Sequence, residues 1–211
     1  MHFGVLTGKT KKITVGFVKL KTQIEFKIIA FQFQKKWRGW LSKYHASSNG
    51  VWLRLYKKDS GITSINHDMA LEEALCFGWI DGQAKKYDEQ SYLQKFTPRR
   101  KGSIWSKRNT EKVEQFIKEG KIHSSGLAEV EKAKADGRWA KAYDSPANMQ
   151  IPDDFLKELS KKPKALAFYK TLNKTNLYSI AWRLQTAKKP ETRQKRMKAI
   201  LKMMEAGKKF H

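Results

Sequence analysis

Short apolar segments alternate with polar ones along the chain, and their spacing predicts both strands and helices. The apolar run at residues 28–33 and the alternation at residues 51–57 are typical of strands. Between these two strands, residues at i, i+3, i+4 and i+7 form the apolar face of a predicted helix: Trp37, Trp40, Leu41 and Tyr44. The front of the chain is therefore predicted to hold a small mixed sheet with helices.

A second helix and a further strand follow. Asp68 is the predicted N-cap of this helix and Gly78 its end. Residues 79–80 then predict a strand that runs into a turn at Asp81 and Gly82, because this dipeptide is common in tight turns. Beyond Pro98 the pattern is helical.

Two short amphipathic helices are predicted after residue 108. The first is capped by Asn109 or Thr110, and the second starts at Ser124 or Ser125. Both end at a glycine, Gly120 and Gly137.

The back of the chain is predicted to be entirely helical. A linker at residues 144–150 precedes helices at residues 152–160, 163–172, 175–187 and 190–206. Pro152, Pro163 and Pro190 suit the first turn of a helix. The fold class is therefore α+β, with an N-terminal arm at residues 1–26, an α+β domain at 27–144 and a helical region at 151–211.

The net charge of +24 is concentrated at the two ends of the chain. Residues 1–36 carry +7 and residues 151–211 carry +11, while residues 37–98 carry only +1. Such a surplus attracts anions, including nucleic acid, in a salt-sensitive manner. A lysine-rich solvated surface explains the same composition, and both interpretations stay open.

The sequence also indicates a compartment. Cys76 is the single cysteine and lies in an apolar run, which predicts a buried, inert thiol. No apolar run approaches the length of a membrane span, and the N-terminus has lysines where a signal peptide would be apolar. We therefore expect a cytosolic protein without a transmembrane segment.

Metal and cofactor chemistry finds no support in the sequence. The five histidines are scattered, and none forms a pair at i, i+3 or i, i+4. The common glycine-rich nucleotide motifs and the hydrolase nucleophile motif do not occur. No metal and no cofactor are predicted.

Asp81 is the weak candidate for a catalytic residue. Held at a strand end in an aromatic pocket, its carboxylate could act as a general base. The alternative is a turn aspartate whose carboxylate accepts hydrogen bonds from nearby backbone N–H groups.

The segment at residues 97–109, TPRRKGSIWSKRN, is the strongest candidate for a binding site. It supplies forked guanidinium donors, hydroxyls, an indole ring and the start of a helix, which are the parts of an anion pocket. The predicted anion-binding residues are Arg99, Arg100, Ser103, Trp105, Ser106 and Lys107. The alternative is an exposed loop held by one buried tryptophan.

The C-terminal helix offers another basic surface. Its cations at Lys189, Arg193 and Arg196 could lie along an acidic partner. Such a helix can instead pack its apolar side chains inward and solvate its charges. These inward residues would be Met197, Ile200, Leu201 and Met204.

Several motifs resemble those of the YdeI/OmpD-associated family, whose members are also called bacteriocin-protection proteins. The resemblance runs in order through GVWLRLYKKDSG, ALEEALCFGWIDGQ, LQKFTPRRKGSIWSK, VEKAKADGRW, AYDSP and TAKKPETRQKRMKAI, over residues 28–208. It implies tolerance of bacteriocins or cationic antimicrobials, association with an outer-membrane porin and, in some descriptions, a periplasmic location. It transfers no catalytic residue to this chain.

The sequence therefore favours a non-enzymatic stress or antimicrobial-tolerance protein that binds an anionic small molecule through residues 99–107. One alternative is non-specific nucleic-acid binding through the basic termini. Another is an enzyme centred on Asp81.

Overall fold

A computed structural model describes residues 26–210, so almost all of the predicted N-terminal arm lies outside the described residues. The front half contains a four-stranded sheet in the order β1-β2-β4-β3. β1 is parallel to β2, and the other neighbouring strands are antiparallel. The strands are β1 (Ile28–Ile29), β2 (Val51–Tyr56), β3 (Trp79–Lys86) and β4 (Ser91–Pro98).

Helices account for most of the remaining structure, and the predicted α+β class is confirmed. Four helices belong to the front half: α1 (Gln34–Tyr44), α2 (His67–Cys76), α3 (Lys107–Lys118) and α4 (Ser124–Ala135). Four more form the back half: α5 (Asp153–Ser160), α6 (Pro163–Tyr169), α7 (Lys174–Gln185) and α8 (Pro190–Glu205).

The front core lies between one face of the sheet and the helices. Residues of β2 alternate between buried and half-buried, so Val51, Leu53 and Leu55 face inward. The Trp37 indole of α1 packs with its ring centroid 5.8 Å from that of Phe96, and its N–H donates to the Ala70 carbonyl of α2 at 3.0 Å. Satisfying the indole N–H allows this large ring to be fully buried. Cys76 is buried in the same core, as predicted.

A second apolar core lies among the four C-terminal helices. Its fully buried members include Phe155 and Leu159 of α5, Leu184 of α7 and Ile200 of α8. The cluster shares no residue with the front core. The division of the chain into domains at residue 144 stays a prediction.

The structure corrects several local predictions. Asp81 and Gly82 do not form a turn: both lie within β3, where an irregularity in the pairing with β4 falls between Asp81 and Ala84. β4 itself was not predicted. The strand expected at residues 28–33 is only Ile28–Ile29, because the chain turns into α1 after Phe33.

Helix starts were also misplaced by a few residues. Asn66, not Asp68, caps α2 by accepting from the Met69 N–H at 2.9 Å. Ser106, rather than Asn109 or Thr110, caps α3. Pro152 precedes α5 as its N-cap instead of occupying the first turn. A serine or asparagine three residues before a free N–H is the usual cap, and in both α2 and α3 such a residue lies upstream of the predicted cap.

Candidate functional site

The segment predicted to bind anions connects β4 to α3, and we call residues 99–107 the basic loop. Its backbone is tied to the front core at both ends. The Arg99 N–H donates to the Gly78 carbonyl at 3.0 Å, and the Ser106 hydroxyl accepts from the Asn109 N–H at 3.2 Å. The N–H of Tyr143 also donates to the Trp105 carbonyl at 2.9 Å. These hydrogen bonds therefore fix the conformation of the loop.

Arg99 is an interior residue of this loop. Its side chain stacks on Trp105, with the guanidinium carbon 3.4 Å from the ring centroid. One nitrogen donates to the Ile104 carbonyl at 3.2 Å, while Nε and Nη2 are buried without a partner among the described residues. Burial lowers the pKa of the guanidinium to about 10. A ligand reaches this charge only if the loop moves.

The other predicted anion ligands have different surroundings. Arg100 is exposed, and its N–H donates to the Ser103 hydroxyl at 3.0 Å. Trp105 is buried with its ring centroid 4.8 Å from that of Trp139. Lys107 forms an ion pair of 2.6 Å with Asp144. The six residues therefore do not converge on one concavity, and their assignment as an anion site stays a prediction.

A cavity of about 390 Å³ lies beside the basic loop, and we call it the junction cavity. It is lined by residues from the loop, from the segment after α4 and from the end of α7: Ile104, Asp136, Arg138, Lys141, Tyr143, Gln185, Thr186, Ala187 and Lys188. Three cations face one carboxylate in this lining. Its volume and its mixture of polar and apolar groups suit a small anionic ligand.

Hydrogen bonds fix the walls of the junction cavity. Arg138 donates through Nε to both carboxylate oxygens of Asp136, at 2.8 and 2.7 Å, and through Nη1 to the Ser103 carbonyl at 2.7 Å. Lys188 donates to the Gly102 carbonyl at 3.0 Å. The hydrogen bond from Arg138 holds the pKa of Asp136 below its usual range, so this carboxylate stays ionised. Burial raises the pKa of Tyr143, so its hydroxyl stays protonated and able to donate.

Sequence reasoning missed the cavity because its residues are dispersed along the chain. Arg138 and Lys141 were not singled out, and Lys188 was seen only as part of a basic C-terminal segment. A signal did exist, since Arg138 belongs to ADGRW, Tyr143 to AYDSP and Lys188 to TAKKP. Their separation along the chain gives no indication that they meet in the fold.

Asp81 forms its side-chain hydrogen bond outside the basic loop and the lining of the junction cavity. It pairs with Phe96 in the sheet register, and its Oδ2 is 3.1 Å from the Nε2 of His67 at the start of α2. A carboxylate in this position orients an imidazole ring. Both side chains are about one-third exposed, at 30% for Asp81 and 34% for His67. The enzyme hypothesis stays a prediction.

The C-terminal helix α8 packs its apolar side chains inward, as the second interpretation of its sequence predicted. Met197, Ile200, Leu201 and Met204 are all buried in the second core. Arg193 forms a two-point ion pair with Asp154, and Arg196 donates to the Arg183 carbonyl at 2.7 Å. These two guanidinium groups therefore serve the packing of α8.

The helices of the described chain, residues 26–210, include none with the length and apolar character needed to cross a membrane.

Comparison with known proteins gives two family matches. Residues 29–129 match a model described as a domain of unknown function (DUF8412). Residues 148–207 match a model described as bacteriocin-protection, YdeI or OmpD-associated. No curated protein and no solved structure matches the chain.

Proposed function

Because residues 148–207 match the model described as bacteriocin-protection, YdeI or OmpD-associated, we propose that the protein is a non-enzymatic antimicrobial-tolerance protein that binds an anionic small molecule. The binding site in this proposal is the junction cavity. The ligand class follows from the excess of cations in its lining.

One observation carries the proposal: motifs that lie far apart in the sequence line the same cavity. Ile104 comes from SIWSK, Arg138 from ADGRW, Tyr143 from AYDSP and Lys188 from TAKKP. Folding alone does not favour a cluster of basic residues, since like charges repel each other. An anion held between them removes that repulsion, and this favours a ligand over a purely structural role.

The lining suggests how an anion would be held. Lys141 is exposed and has no carboxylate within 4.0 Å among residues 26–210, so its ammonium group is available. Lys188 needs only to give up the Gly102 carbonyl. Tyr143 and Gln185 add neutral hydrogen-bonding groups that would orient the bound molecule.

Calorimetric titration of the full chain tests this site. The probes are pyrophosphate, ADP and glucose 6-phosphate, which present phosphate groups on carriers of different size. We expect at least one to bind, and the variant Lys141→Ala/Lys188→Ala to bind it about 10-fold more weakly, because two charge-assisted contacts are lost. The same variant should protect bacteria less well against a bacteriocin.

The matched control is Lys118→Ala/Lys164→Ala, which removes the same charge from two exposed lysines outside the cavity lining. Its affinity and its protection should equal those of the parent protein. Equal losses in both double variants would show that only bulk charge matters and would overturn the site.

A further inference from the structure

The face of the sheet opposite α1 and α2 carries aromatic rings and cations in one layer. Trp52, Arg54 and Tyr56 alternate on β2 with the buried residues of the front core. In the register, Trp52 lies opposite Lys95 of β4, and Arg54 lies opposite Leu93. Leu93 in turn lies opposite Lys85 of β3. Paired residues share a face, so these side chains form one surface, which we call the outer face.

Cations lie against the rings of the outer face. The Lys85 ammonium is 4.5 Å from the ring centroid of Trp52, and that of Lys95 is 5.8 Å from the same centroid. Lys95 also lies 4.3 Å from the Phe26 ring. The Arg54 guanidinium is 4.6 Å from the Tyr56 ring. Cations from β2, β3 and β4 therefore lie against aromatic rings on this face.

The charges of the outer face are not equally engaged. Arg54 is paired with Asp88 at 2.6 Å and donates to the Ser91 hydroxyl at 2.9 Å, so it is held in place. Within residues 26–210, neither Lys85 nor Lys95 has a carboxylate within 4.0 Å. In that part of the chain, both ammonium groups lie against aromatic rings. The outer face thus presents two positive charges that lack an anionic partner among residues 26–210.

We propose that the outer face binds single-stranded nucleic acid. An open sheet that presents rings for base stacking and cations for the phosphates is a common way to hold unpaired strands. Trp52 and Tyr56 are four residues apart on one strand, so their Cα atoms are about 13 Å apart, which leaves room for separate bases. Lysine ammonium groups without carboxylate partners match the phosphate charge.

The resting contacts are compatible with this role. The lysines that lie on Trp52 have flexible stems, so their ammonium groups can move off the ring when a base stacks there. The same groups then pair with phosphates on either side of the base. A duplex lacks free base faces and would use only the charges.

Fluorescence anisotropy with labelled 12-nucleotide U and dT oligonucleotides tests the proposal on the full chain. We expect Trp52→Ala to weaken binding by about 10-fold, because stacking of one base is lost, and Trp52→Phe to restore most of it. We expect Lys85→Ala/Lys95→Ala to reduce the slope of log affinity against log salt by about 1.4, the value for two phosphate contacts on a single strand.

A matched control separates this face from the bulk charge of the protein. Lys198→Ala/Lys202→Ala removes two exposed charges from α8 and should leave the affinity and the slope within about 2-fold and 0.3 of the parent values. The junction-cavity variant Lys141→Ala/Lys188→Ala should likewise bind the oligonucleotides normally.

Three outcomes would overturn the proposal. One is equal affinity of Trp52→Ala and the parent protein. Another is equal loss in the α8 control, which would assign binding to the basic C-terminus. The third is preference for a duplex, or for vesicles of anionic lipid with no binding of oligonucleotides.

Discussion

Arg99 shows at the scale of one residue how a charge can be buried with no carboxylate partner among residues 26–210. Its side chain is 7% exposed, and Trp105 supplies a cation–π contact in place of an ion pair. Burial lowers its pKa to about 10, which corresponds to about 3 kcal/mol of unfavourable burial for the charged form. A cation–π contact offsets up to about 2 kcal/mol of such a cost.

Replacing this charge should therefore cost the fold little. We expect Arg99→Met to change the free energy of unfolding by less than about 1 kcal/mol, because the apolar stem still covers Trp105 and the desolvation of the charge disappears. Urea denaturation of the full chain measures the change.

Trp105→Ala is the comparison for that experiment. It removes a buried indole and should lower the free energy of unfolding by about 3–5 kcal/mol. A loss of more than about 2 kcal/mol in Arg99→Met would contradict this account and show that the guanidinium has a partner it requires.

At the scale of the elements, one glycine sets how closely two helices approach. Gly126 lies in the first turn of α4, and a Cβ added there would meet the Cys76 carbonyl oxygen at 2.2 Å. That oxygen belongs to the last residue of α2 and accepts from the His123 N–H at 3.0 Å. The end of α2 and the start of α4 therefore contact each other through backbone atoms, and no larger residue fits between them.

The same substitution at two helical glycines should have opposite effects. Gly126→Ala should lower the free energy of unfolding by about 1–3 kcal/mol, because overpacking exceeds the gain in helix propensity. Gly39→Ala in α1 should raise it by about 0.5–1 kcal/mol, since nothing lies within 4 Å of the added Cβ. Thermal unfolding of both variants measures the difference, and a stabilised Gly126→Ala would contradict the close approach of α2 and α4.

Helices whose apolar residues recur with a clear helical period were predictable from the sequence. Strands whose bounds depend on pairing with a neighbouring strand were not. α1 and α8 have apolar faces that face a core, and their bounds lie within a few residues of prediction. β4 lacks a clean alternation because Leu93 and Phe96 are both buried, on opposite faces. The Asp81-Gly82 turn signal is local, and pairing with β4 overrides it.

The candidate sites follow the same rule. The donors of the basic loop could be identified from their clustering, but the packing around Arg99 could not. Arg99 stacks on Trp105, which in turn packs on Trp139, 34 residues further along the chain and 4.8 Å from centroid to centroid. The junction cavity needs three distant segments to meet. The outer face depends on strand order, which one sequence does not reveal.

At the scale of the whole molecule, the two cores are joined mainly by polar contacts. Asp144 accepts from Gln185 at 2.7 Å, and Lys188 donates to Gly102 at 3.0 Å. The aromatic contact across this boundary is between Tyr143 and Trp182, with ring centroids 6.2 Å apart. Exposed polar contacts contribute little to cooperativity compared with a shared apolar core. The cores are therefore expected to unfold as separate units.

Calorimetry of the full chain should show two transitions if this is correct. Phe155→Ala opens a cavity only in the second core and Leu53→Ala only in the first, so each variant should lower one transition and leave the other in place. Trp182 is the one tryptophan after residue 150, so Trp182→Phe should remove the fluorescence change of the second transition alone. An anion bound in the junction cavity contacts both units, so a saturating concentration of whichever probe binds there should bring the two transitions together. A single transition that both core variants shift equally would instead indicate one cooperative domain, and the boundary at residue 144 would then be wrong.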